Sequence, residues 1–324
     1  MRVLSNTDIA ALLPMDQAIA VIDRTMRSVS SGDAQLPLRH VVPVGGANMM
    51  GVMSGALGDP MCFGVKLVSL FPGNPAKGLS GHRGAVVLFE SETGGAVAMM
   101  DAGLLTAIRT AAASAVATRA LARDQATRLT IVGTGEQAEH HLAAMLAVRP
   151  IDSVHIVGRR AEKAAAFAAH AAAAHPGLTL VHGTDVQAGV RGADIVCTVT
   201  NSATPVLLGD WLEPGQHVNV VGASIPSRRE VDDALVLRSE IFCDYRPSLL
   251  AQAGEVVDTL KAGLITEDHL KPEIGAVLNG APGRSGPEAI TVYRSLGIVA
   301  QDLAAATHAL TRAQSEGRGQ VVSF

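Results

Sequence analysis

The sequence has little charge, few cysteines and no long apolar run, and each scarcity excludes a class of protein. Charged residues are 17% of the 324, with 26 basic and 30 acidic side chains, which gives a formal net charge of -4. With this balance of charges we expect no basic surface of the kind that binds nucleic acids. With 48% hydrophobic residues the chain is also too apolar for intrinsic disorder, and it is long enough for more than one domain.

The uncharged segment 41–58 contains Pro43, Asn48 and five glycines, whereas a spanning helix needs about 20 strongly apolar residues. The N-terminal residues carry Asp8 and no apolar core with a cleavage site, so we do not expect a secretory signal there. The three cysteines, Cys62, Cys197 and Cys243, are far apart, which suits a reducing compartment and gives no metal-ligand spacing. We therefore expect a cytoplasmic protein with no membrane span, no nucleic-acid partner and no metal.

Two kinds of hydrophobic pattern divide the chain. Residues 6–31 have helical spacing, and short β-type runs broken by Gly, Pro and Asn follow up to about residue 100, which predicts an antiparallel sheet with helices. Further on, continuous apolar strands alternate with helices, a pattern typical of a parallel sheet covered on both faces. The strands of this second pattern are predicted at 128–132, 154–157, 178–181, 194–199 and 217–221.

Two long helices complete the prediction, an Ala-rich one at 104–123 and an amphipathic one at 295–315. The first lies where the antiparallel pattern gives way to the parallel one, and the second follows the last predicted strand. We expect two domains, a discontinuous one formed by both chain ends and a nucleotide-binding domain inserted into it.

A glycine motif of the dinucleotide-binding type, Gly133-x-Gly135-x-x-Ala138, follows the first parallel strand and opens a helix. The first glycine allows the tight turn, the second lets the backbone approach a pyrophosphate, and the small third residue lets the helix pack on the strand. The free N–H groups of the helix then face the phosphates. An empty glycine turn is the alternative, but the ordered strands favour a dinucleotide.

The second parallel strand ends in Arg159 and Arg160, with no acidic residue between 154 and 161. An Asp or Glu near this point bonds the ribose hydroxyls of NAD, whereas an arginine accommodates the 2′-phosphate of NADP. The two arginines could instead be the solvated start of the next helix. The pattern favours NADPH, with NADH as the second possibility.

Three cations, Arg39, Lys66 and Arg109, stand in apolar surroundings in the runs LPLRHVVPV, FGVKLVSLF and LLTAIRTAAAS. Buried Arg and Lys side chains are almost always paired, so either structural ion pairs or an anionic ligand is expected. Arginine is the better clamp for a carboxylate because its planar fork binds both oxygens. His82 lies in a glycine-rich loop, and Met53 lies in a β-type run where packing is its simplest role.

Several segments resemble the ornithine cyclodeaminase/mu-crystallin family over nearly the whole chain. These segments are LTAIRTAAASAVAT (105–118), IVGTGEQA (131–138), TVTNSATPVL (198–207), NVVGASIPSRREVD (219–232) and TVYRSLGIVAQD (291–302). The resemblance implies a Rossmann domain, 119–297, inserted into an α+β domain made of 1–118 and 298–324. It also implies a homodimer formed mainly through the latter domain.

The resemblance assigns roles to individual residues. Arg39, Lys66 and Arg109 match the residues that hold the substrate carboxylate, with Met53 beside them and Lys66, His82 and Arg109 as the catalytic candidates. The positions that resemble cofactor contacts are Thr110, Gly133, Gly135, Gln137, Ala138, Arg159, Arg160, Thr198, Thr200, Val221, Ser224, Ser295 and Gly297.

One departure separates this chain from true ornithine cyclodeaminases, which have an Asp where this sequence has Ser224. A serine hydroxyl cannot act there as a base or stabilise an iminium. The GAS-x-P segment resembles mu-crystallin-type ketimine reductases instead, and so do Gly51–Met53 and His82. The acids that follow, Glu230 and Asp232, are interpreted as first-turn residues of the next helix.

We therefore expect an NAD(P)H-dependent reductase of small α-imino acids, such as Δ1-pyrroline-2-carboxylate or Δ1-piperideine-2-carboxylate. The alternatives are a cyclodeaminase-type lyase, an amino-acid dehydrogenase acting on a linear imine to form alanine or aspartate, and a ligand-binding protein without activity. Lys66 and His82 are the two candidates for the group that protonates the imine nitrogen.

Overall fold

The computed structural model describes residues 1–323, without the side chain of Pro75. The chain forms two compact units, one made of Met1–Arg109 with the chain from Ile298 onwards, the other of Thr110–Gly297. The passage from the first to the second unit occurs inside one helix, and the junction predicted at 118–119 lies in that same helix.

The strands alternate with helices in the order expected for an α/β protein. The strands are β1 (Arg2–Leu4), β2 (Ala34–Gln35), β3 (His40–Gly45), β4 (Asn48–Leu57), β5 (Cys62–Leu70), β6 (His82–Phe89), β7 (Ala96–Asp101), β8 (Arg128–Val132), β9 (Ser153–Val157), β10 (Thr179–Gly183), β11 (Ile195–Thr198), β12 (His217–Val220), β13 (Glu240–Cys243), β14 (Leu270–Glu273), β15 (Thr291–Arg294) and β16 (Gln320–Val321). The helices are α1 (Asn6–Leu12), α2 (Met15–Ser30), α3 (Ala102–Leu121), α4 (Glu136–Val148), α5 (Ala161–Ala174), α6 (Val186–Val190), α7 (Asp233–Arg238), α8 (Arg246–Gln252), α9 (Gly254–Lys261), α10 (Ile274–Leu278) and α11 (Val299–Glu316).

The first unit contains an eight-stranded sheet in the order β16-β1-β7-β6-β5-β4-β2, and β3 pairs with the same edge of β4 as β2 does, at the other end of the strand. The neighbours from β4 to β7 are antiparallel, which confirms the sequence-based prediction for this half of the chain. Helix α11 packs on β4, β5 and β6 and on α2. The C-terminal helix thereby covers the centre of the sheet formed by the N-terminal part of the chain.

The helix predicted at 6–31 is divided into two, α1 and α2, at Leu13 and Pro14. Proline has no N–H for the α1 ladder and disfavours helical geometry in the residue before it. Pro14 becomes the N-cap of α2, while Ser5 and Asp8 form a capping box at the start of α1.

The second unit contains an all-parallel sheet in the order β10-β9-β8-β11-β12-β15-β13-β14. The first five strands of this series match the five predicted ones, and their order reverses between β8 and β11, as in doubly wound nucleotide-binding folds. Three strands were not predicted, namely β13, β14 and β15. Each is only four residues long, and β14 (LKPE) carries two charges and a proline, so none has a strong apolar run.

The last helix begins four residues later than predicted. Residues 295–298 form a connection without regular secondary structure between β15 and α11, in which Gly297 has a φ of +72°. Within residues 1–323 no helix is both long and apolar enough to cross a membrane. Cys62, Cys197 and Cys243 are buried free thiols.

Candidate active site

A pair of glycines brings helix α11 close to the sheet of the first unit. Gly55 on β4 and Gly64 on β5 are cross-strand partners. A Cβ atom on Gly55 would lie 2.6 Å from Val299 Cγ1, and one on Gly64 would lie 2.9 Å from Leu303 Cδ2 and 2.3 Å from the Val87 carbonyl oxygen. These distances leave no room for a side chain at either position. The helix turn between Val299 and Leu303 is thus seated directly on the glycine pair.

Two residues along β5 from this glycine pair, Lys66 points to the same face of the strand, because side chains alternate between the two faces. The lysine is only 2% exposed, and its Nζ donates to Oδ1 of Asp302 on α11 at 2.9 Å. Met53, its cross-strand partner on β4, is also buried. The tight seat of α11 therefore places a carboxylate beside a lysine in the middle of the sheet.

The same carboxylate oxygen binds the second predicted cation. Arg109 on α3 donates from Nε to Asp302 Oδ1 at 2.9 Å, and its Nη1 donates to Gln301 Oε1 at 2.6 Å. Arg109 is 4% exposed and both residues of α11 are fully buried. The other oxygen, Asp302 Oδ2, is buried without a hydrogen-bond partner among the described residues. We call the three ionic residues, Lys66, Arg109 and Asp302, the cation cluster.

Neither Asp302 nor Gln301 was predicted as a site residue. The available signal was an acidic residue, Asp302, within the apolar first turns of a helix that must pack on a sheet (VAQDLAAA). Buried acids of this kind are almost always paired with a cation, so the position could have been matched to Lys66 or Arg109.

The cation cluster has more positive than negative charge. The pKa of Lys66 is lowered from 10.5 to about 7: burial is the largest cause, Arg109 acts in the same direction, and Asp302 partly offsets the two effects. Arg39, a half-buried residue in the segment before β3, also lies near enough to lower the pKa of Lys66. An anionic ligand would balance the surplus of positive charge.

His82, at the start of β6, is close to this cluster. Its residue surface is exposed to solvent, yet the protein atoms around the ring desolvate it, and together with Lys66 they lower the pKa of the imidazole. Solvent exposure and a lowered pKa coexist when a side chain lies at the edge of a crowded region. Desolvation and the nearby cation both disfavour the protonated ring, so the imidazole is neutral more readily than that of a free histidine.

In the second unit, the turn after β8 has the geometry of a phosphate-binding loop. Gly133 has a φ of +130°, and a Cβ atom there would lie 2.8 Å from the Val199 carbonyl oxygen. Gly135 is the N-cap of α4, has open space where a side chain would be, and leaves the first N–H groups of the helix without a side-chain cap. Ala138 is fully buried, as the third position of the motif requires. These residues fit the pyrophosphate of a dinucleotide.

The end of β9 lies against this loop. A Cβ atom on Gly158 would come within 2.7 Å of the Thr134 methyl group, so the glycine allows close contact. Arg159 and Arg160 follow, both exposed, and Arg160 forms a loose surface ion pair with Glu162 at 3.5 Å. Both predicted arginines are therefore at the carboxyl end of the second strand.

The remaining predicted cofactor positions differ in their surroundings. Thr198 and Thr200 donate their hydroxyls to a buried carboxylate, that of Glu230, at 3.0 and 2.6 Å. The interpretation of Glu230 as a first-turn acid of α7 was wrong. It precedes the helix and points to the ends of β11 and β12, whereas Asp232 is the N-cap of α7. Sequence alone favoured the helix because two further acids, Asp232 and Asp233, come within three residues of Glu230.

The other predicted contacts lie at the same edge of the parallel sheet or next to it. Ser295 donates its N–H to the Val220 carbonyl at the end of β12, and the N–H groups of Leu296 and Gly297 donate to Asp244. Gln137 is half-buried in the first turn of α4, and Thr110 is buried in α3. Val221 and Ser224 lie in the segment that follows β12. Among residues 1–323 no group of three His, Cys, Asp or Glu side chains is placed to hold a metal ion.

A doubly wound dinucleotide fold with a buried cation cluster defines a class, the nicotinamide-dependent enzymes of small anionic substrates. The particular family follows from comparison with known proteins. The family model for the ornithine cyclodeaminase/mu-crystallin family matches residues 1–317, so the chain belongs to this family.

Two curated relatives illustrate the similarity. The Δ1-pyrroline-2-carboxylate reductase of Bacillus thuringiensis subsp. konkukian is 32% identical over 327 aligned positions, covering 100% of both chains. The ketimine reductase mu-crystallin of Mus musculus is 33% identical and covers 90% of this chain and 88% of its own.

Solved structures show the same fold over the full length. The Δ1-pyrroline-2-carboxylate reductase of Thermococcus litoralis, in complex with NADH and L-proline, superposes with a TM-score of 0.96 at 30% identity, covering 99% of this chain and 100% of that one. An archaeal alanine dehydrogenase dimer with bound NAD gives 0.93 at 28%, covering 100% and 99%. The iminosuccinate reductase of Paracoccus denitrificans in complex with NAD+ gives 0.92 at 29%, with the same coverage.

Proposed function

We propose that this protein reduces small cyclic α-imino acids, Δ1-pyrroline-2-carboxylate or Δ1-piperideine-2-carboxylate, to the L-amino acids with NADPH. The observation that carries the proposal is the cation cluster, in which two buried cations share a single carboxylate oxygen. The relatives named as Δ1-pyrroline-2-carboxylate and ketimine reductases support the same reaction.

The substrate carboxylate binds to Arg39 and Arg109. The Nε and one Nη atom of Arg109 are engaged by Asp302 and Gln301, which fixes the plane of its guanidinium. A guanidinium held in this way offers its remaining N–H groups to a carboxylate in one orientation. Such alignment of the imine carbon contributes several kcal/mol to lowering the barrier.

Lys66 protonates the imine nitrogen. A general acid works best when its pKa is close to the working pH, and the pKa of Lys66 is lowered to about 7. His82 is the weaker candidate because its pKa is lowered from 6.5, so most of its rings are neutral at neutral pH. The nitrogen gains the lysine proton, the carbon gains the hydride that NADPH supplies when bound, and Lys66 recovers its proton from water.

NADPH binds with its pyrophosphate at Gly133, Gly135 and the start of α4. Arg159 and Arg160 hold the 2′-phosphate, and the absence of an acid at the end of β9 removes the repulsion that such a residue would exert. The relatives with bound NADH or NAD+ make NADH the cofactor to compare directly.

The protein forms a homodimer through the face of the first sheet opposite α11. On that face Leu67 and Met99 are both 37% exposed, and Phe63 and Phe89 stack with ring centroids 5.6 Å apart. An apolar sheet face of this kind is typical of an obligate interface. Leu67→Asp should give a monomer in sedimentation experiments, whereas Val181→Asp, which charges an exposed apolar residue of β10, should stay dimeric.

The first test is the oxidation of NADPH and of NADH with each cyclic ketimine, and with pyruvate or oxaloacetate plus ammonia. Rapid NADPH loss with a cyclic ketimine is the expected result. Activity only with the linear imines would replace the proposal with an amino-acid dehydrogenase, a function supported by the similarity to alanine dehydrogenase and iminosuccinate reductase. Ammonia release from ornithine without net change in cofactor would replace it with a lyase.

A further inference from the structure

A single carboxylate joins the ends of two neighbouring strands in the second unit. Glu230 is fully buried, and its side chain accepts four hydrogen bonds. Oε1 accepts from the Thr200 backbone N–H at 2.7 Å and the Thr200 hydroxyl at 2.6 Å. Oε2 accepts from the Thr198 hydroxyl at 3.0 Å and the Gly222 N–H at 2.6 Å. Thr198 is the last residue of β11 and Thr200 follows that strand, whereas Gly222 follows β12.

The segment after β12 is held from a second direction. Arg294, also buried, donates to the carbonyl oxygens of Val220 at 3.2 Å and Ala223 at 2.5 Å, and its Nε pairs with Glu255. A Cβ atom on Gly222 would lie 1.9 Å from the Thr200 carbonyl oxygen. Glu230 therefore binds the Gly222 N–H, and Arg294 binds the Val220 and Ala223 carbonyl oxygens. The short distance at Gly222 leaves this segment no space to move toward Thr200.

The location of these contacts points to the cofactor. In a doubly wound sheet the pyrophosphate lies at the first strand-to-helix turn and the adenosine ribose at the end of the second strand. The rest of the dinucleotide then extends over the strands on the other side of the order reversal, which here are β11 and β12. The two segments joined by Glu230 lie where the nicotinamide half belongs.

We propose that Glu230 is a positioning residue for the nicotinamide half of the cofactor, fixing the backbone of 198–200 and 220–224 through its four accepted hydrogen bonds. The inference rests on the proposed function only in assuming a nicotinamide dinucleotide. The inference does not depend on which imine is the substrate.

The chemistry of the four donors makes an isosteric variant informative. In Glu230→Gln one of the two oxygens becomes an NH2 group, which must face either the Thr200 N–H or the Gly222 N–H. Two donors then meet in a buried site, and one segment loses its anchor. Asp232→Asn is the matched control, because it makes the same change two residues away on a carboxylate whose Oδ1 accepts from Gly209 and Leu235. That oxygen remains an acceptor in the amide.

The experiment measures dissociation constants by fluorescence titration without substrate, using NADPH and, as a probe of the adenosine half alone, 2′,5′-ADP. Glu230→Gln should weaken NADPH binding about tenfold or more and leave 2′,5′-ADP binding within about twofold, because a buried donor loses its acceptor only where the nicotinamide half binds. Asp232→Asn should bind both as the wild type does. Glu230→Asp, which keeps the acceptor-only group on a shorter side chain, should restore part of the NADPH affinity.

The outcomes separate this inference from the proposed activity. A folded Glu230→Gln that binds NADPH as tightly as the wild type overturns the inference, and so does an equal loss of NADPH and 2′,5′-ADP binding, which indicates a general structural role. If Glu230→Gln does not fold, Thr198→Val is the second variant, because it removes one of the four hydrogen bonds without placing two donors against each other. Unchanged NADPH affinity in Thr198→Val would also overturn the inference. If the wild type binds NADPH but reduces no imine, the proposed activity is wrong. The inference about Glu230 is then still supported by a selective loss of NADPH binding in Glu230→Gln.

Discussion

The buried charges of the two units are arranged differently. In the second unit Arg294 pairs with Glu255, and Glu230 accepts only from neutral hydroxyl and N–H groups. In the first unit Lys66 and Arg109 converge on one oxygen of Asp302, and its other oxygen has no hydrogen-bond partner within residues 1–323. Each buried acid of this comparison in the second unit has a single cation or only neutral donors, whereas one carboxylate of the first unit is shared by two cations.

This difference separates two uses of buried charge. Burying a charge is costly unless it is paired, so a surplus cation is retained where a ligand supplies the missing charge. A carboxylate that holds backbone segments needs no external partner and acts on the ligand through geometry. Substitutions of Lys66 and Asp302, and of the glycine on which α11 is seated, show how far the first unit depends on these charges and on their placement.

The largest effect is expected from Lys66→Met, which removes the proton donor and keeps a long apolar side chain in its place. We expect kcat/KM for the cyclic ketimine to fall by roughly 10²–10⁴-fold, the range for loss of a general acid. NADPH affinity should stay at the wild-type value because the dinucleotide loop is untouched. Lys77→Met, at an exposed lysine, is the control. Turnover close to that of the wild type would assign the proton to another group.

A smaller but still severe effect is expected from Asp302→Asn. The variant leaves two buried cations beside each other without a counter-charge, which costs about 3–5 kcal/mol when one partner of a buried pair is lost. It should lower the thermal midpoint and reduce kcat/KM by about 10²-fold, because Lys66 and Arg109 lose their shared anchor. Glu316→Gln removes a carboxylate from the exposed end of the same helix and should change neither quantity appreciably. Equal effects of the two variants would contradict the role given to Asp302.

Gly64→Ala tests how the site is built rather than its chemistry. The added methyl would meet the Val87 carbonyl and Leu303, so α11 must shift, at about 1–3 kcal/mol for overpacking. Because α11 carries Asp302, we expect the KM for the imine to rise along with the loss of stability. Gly95→Ala, in the turn between β6 and β7 with its nearest atom at 3.5 Å, should be tolerated. The thermal midpoint and the KM of both variants provide the check.

Local patterns in the sequence were enough to predict some parts of this site and not others. Gly133 and Gly135 were predicted because a strand, a glycine turn and a helix follow one another directly along the chain. Lys66 and Arg109 were predicted because a charge in an apolar run is anomalous by itself. Their partner was missed because Asp302 is 236 residues from Lys66 and 193 from Arg109, and only the packing of α11 brings them together.

Glu230 shows the opposite failure, in which a local pattern gave the wrong answer. An acid near the N-terminus of a helix is favourable, and the sequence has three acids within four residues at the start of α7. Tertiary contacts decide which acid caps the helix, and they assign this to Asp232, while Glu230 turns to the strand ends. Side chains whose role depends on strands separated in sequence remain the hardest to assign without a structure.

The smallest effect is a pH dependence that requires no substrate. In the unfolded chain Lys66 keeps its proton up to about pH 10.5, whereas in the folded protein its pKa is about 7. Between these values the unfolded state binds more protons, so the free energy of unfolding rises with pH, and below about pH 7 this dependence disappears. The thermal midpoint of the wild type should therefore gain more between about pH 7 and 9 than that of Lys66→Met, with Lys77→Met resembling the wild type. Over the same interval kcat/KM should fall, because the donor loses its proton. Stability and activity then change in opposite directions, a result that a fully paired lysine with an ordinary pKa would not give.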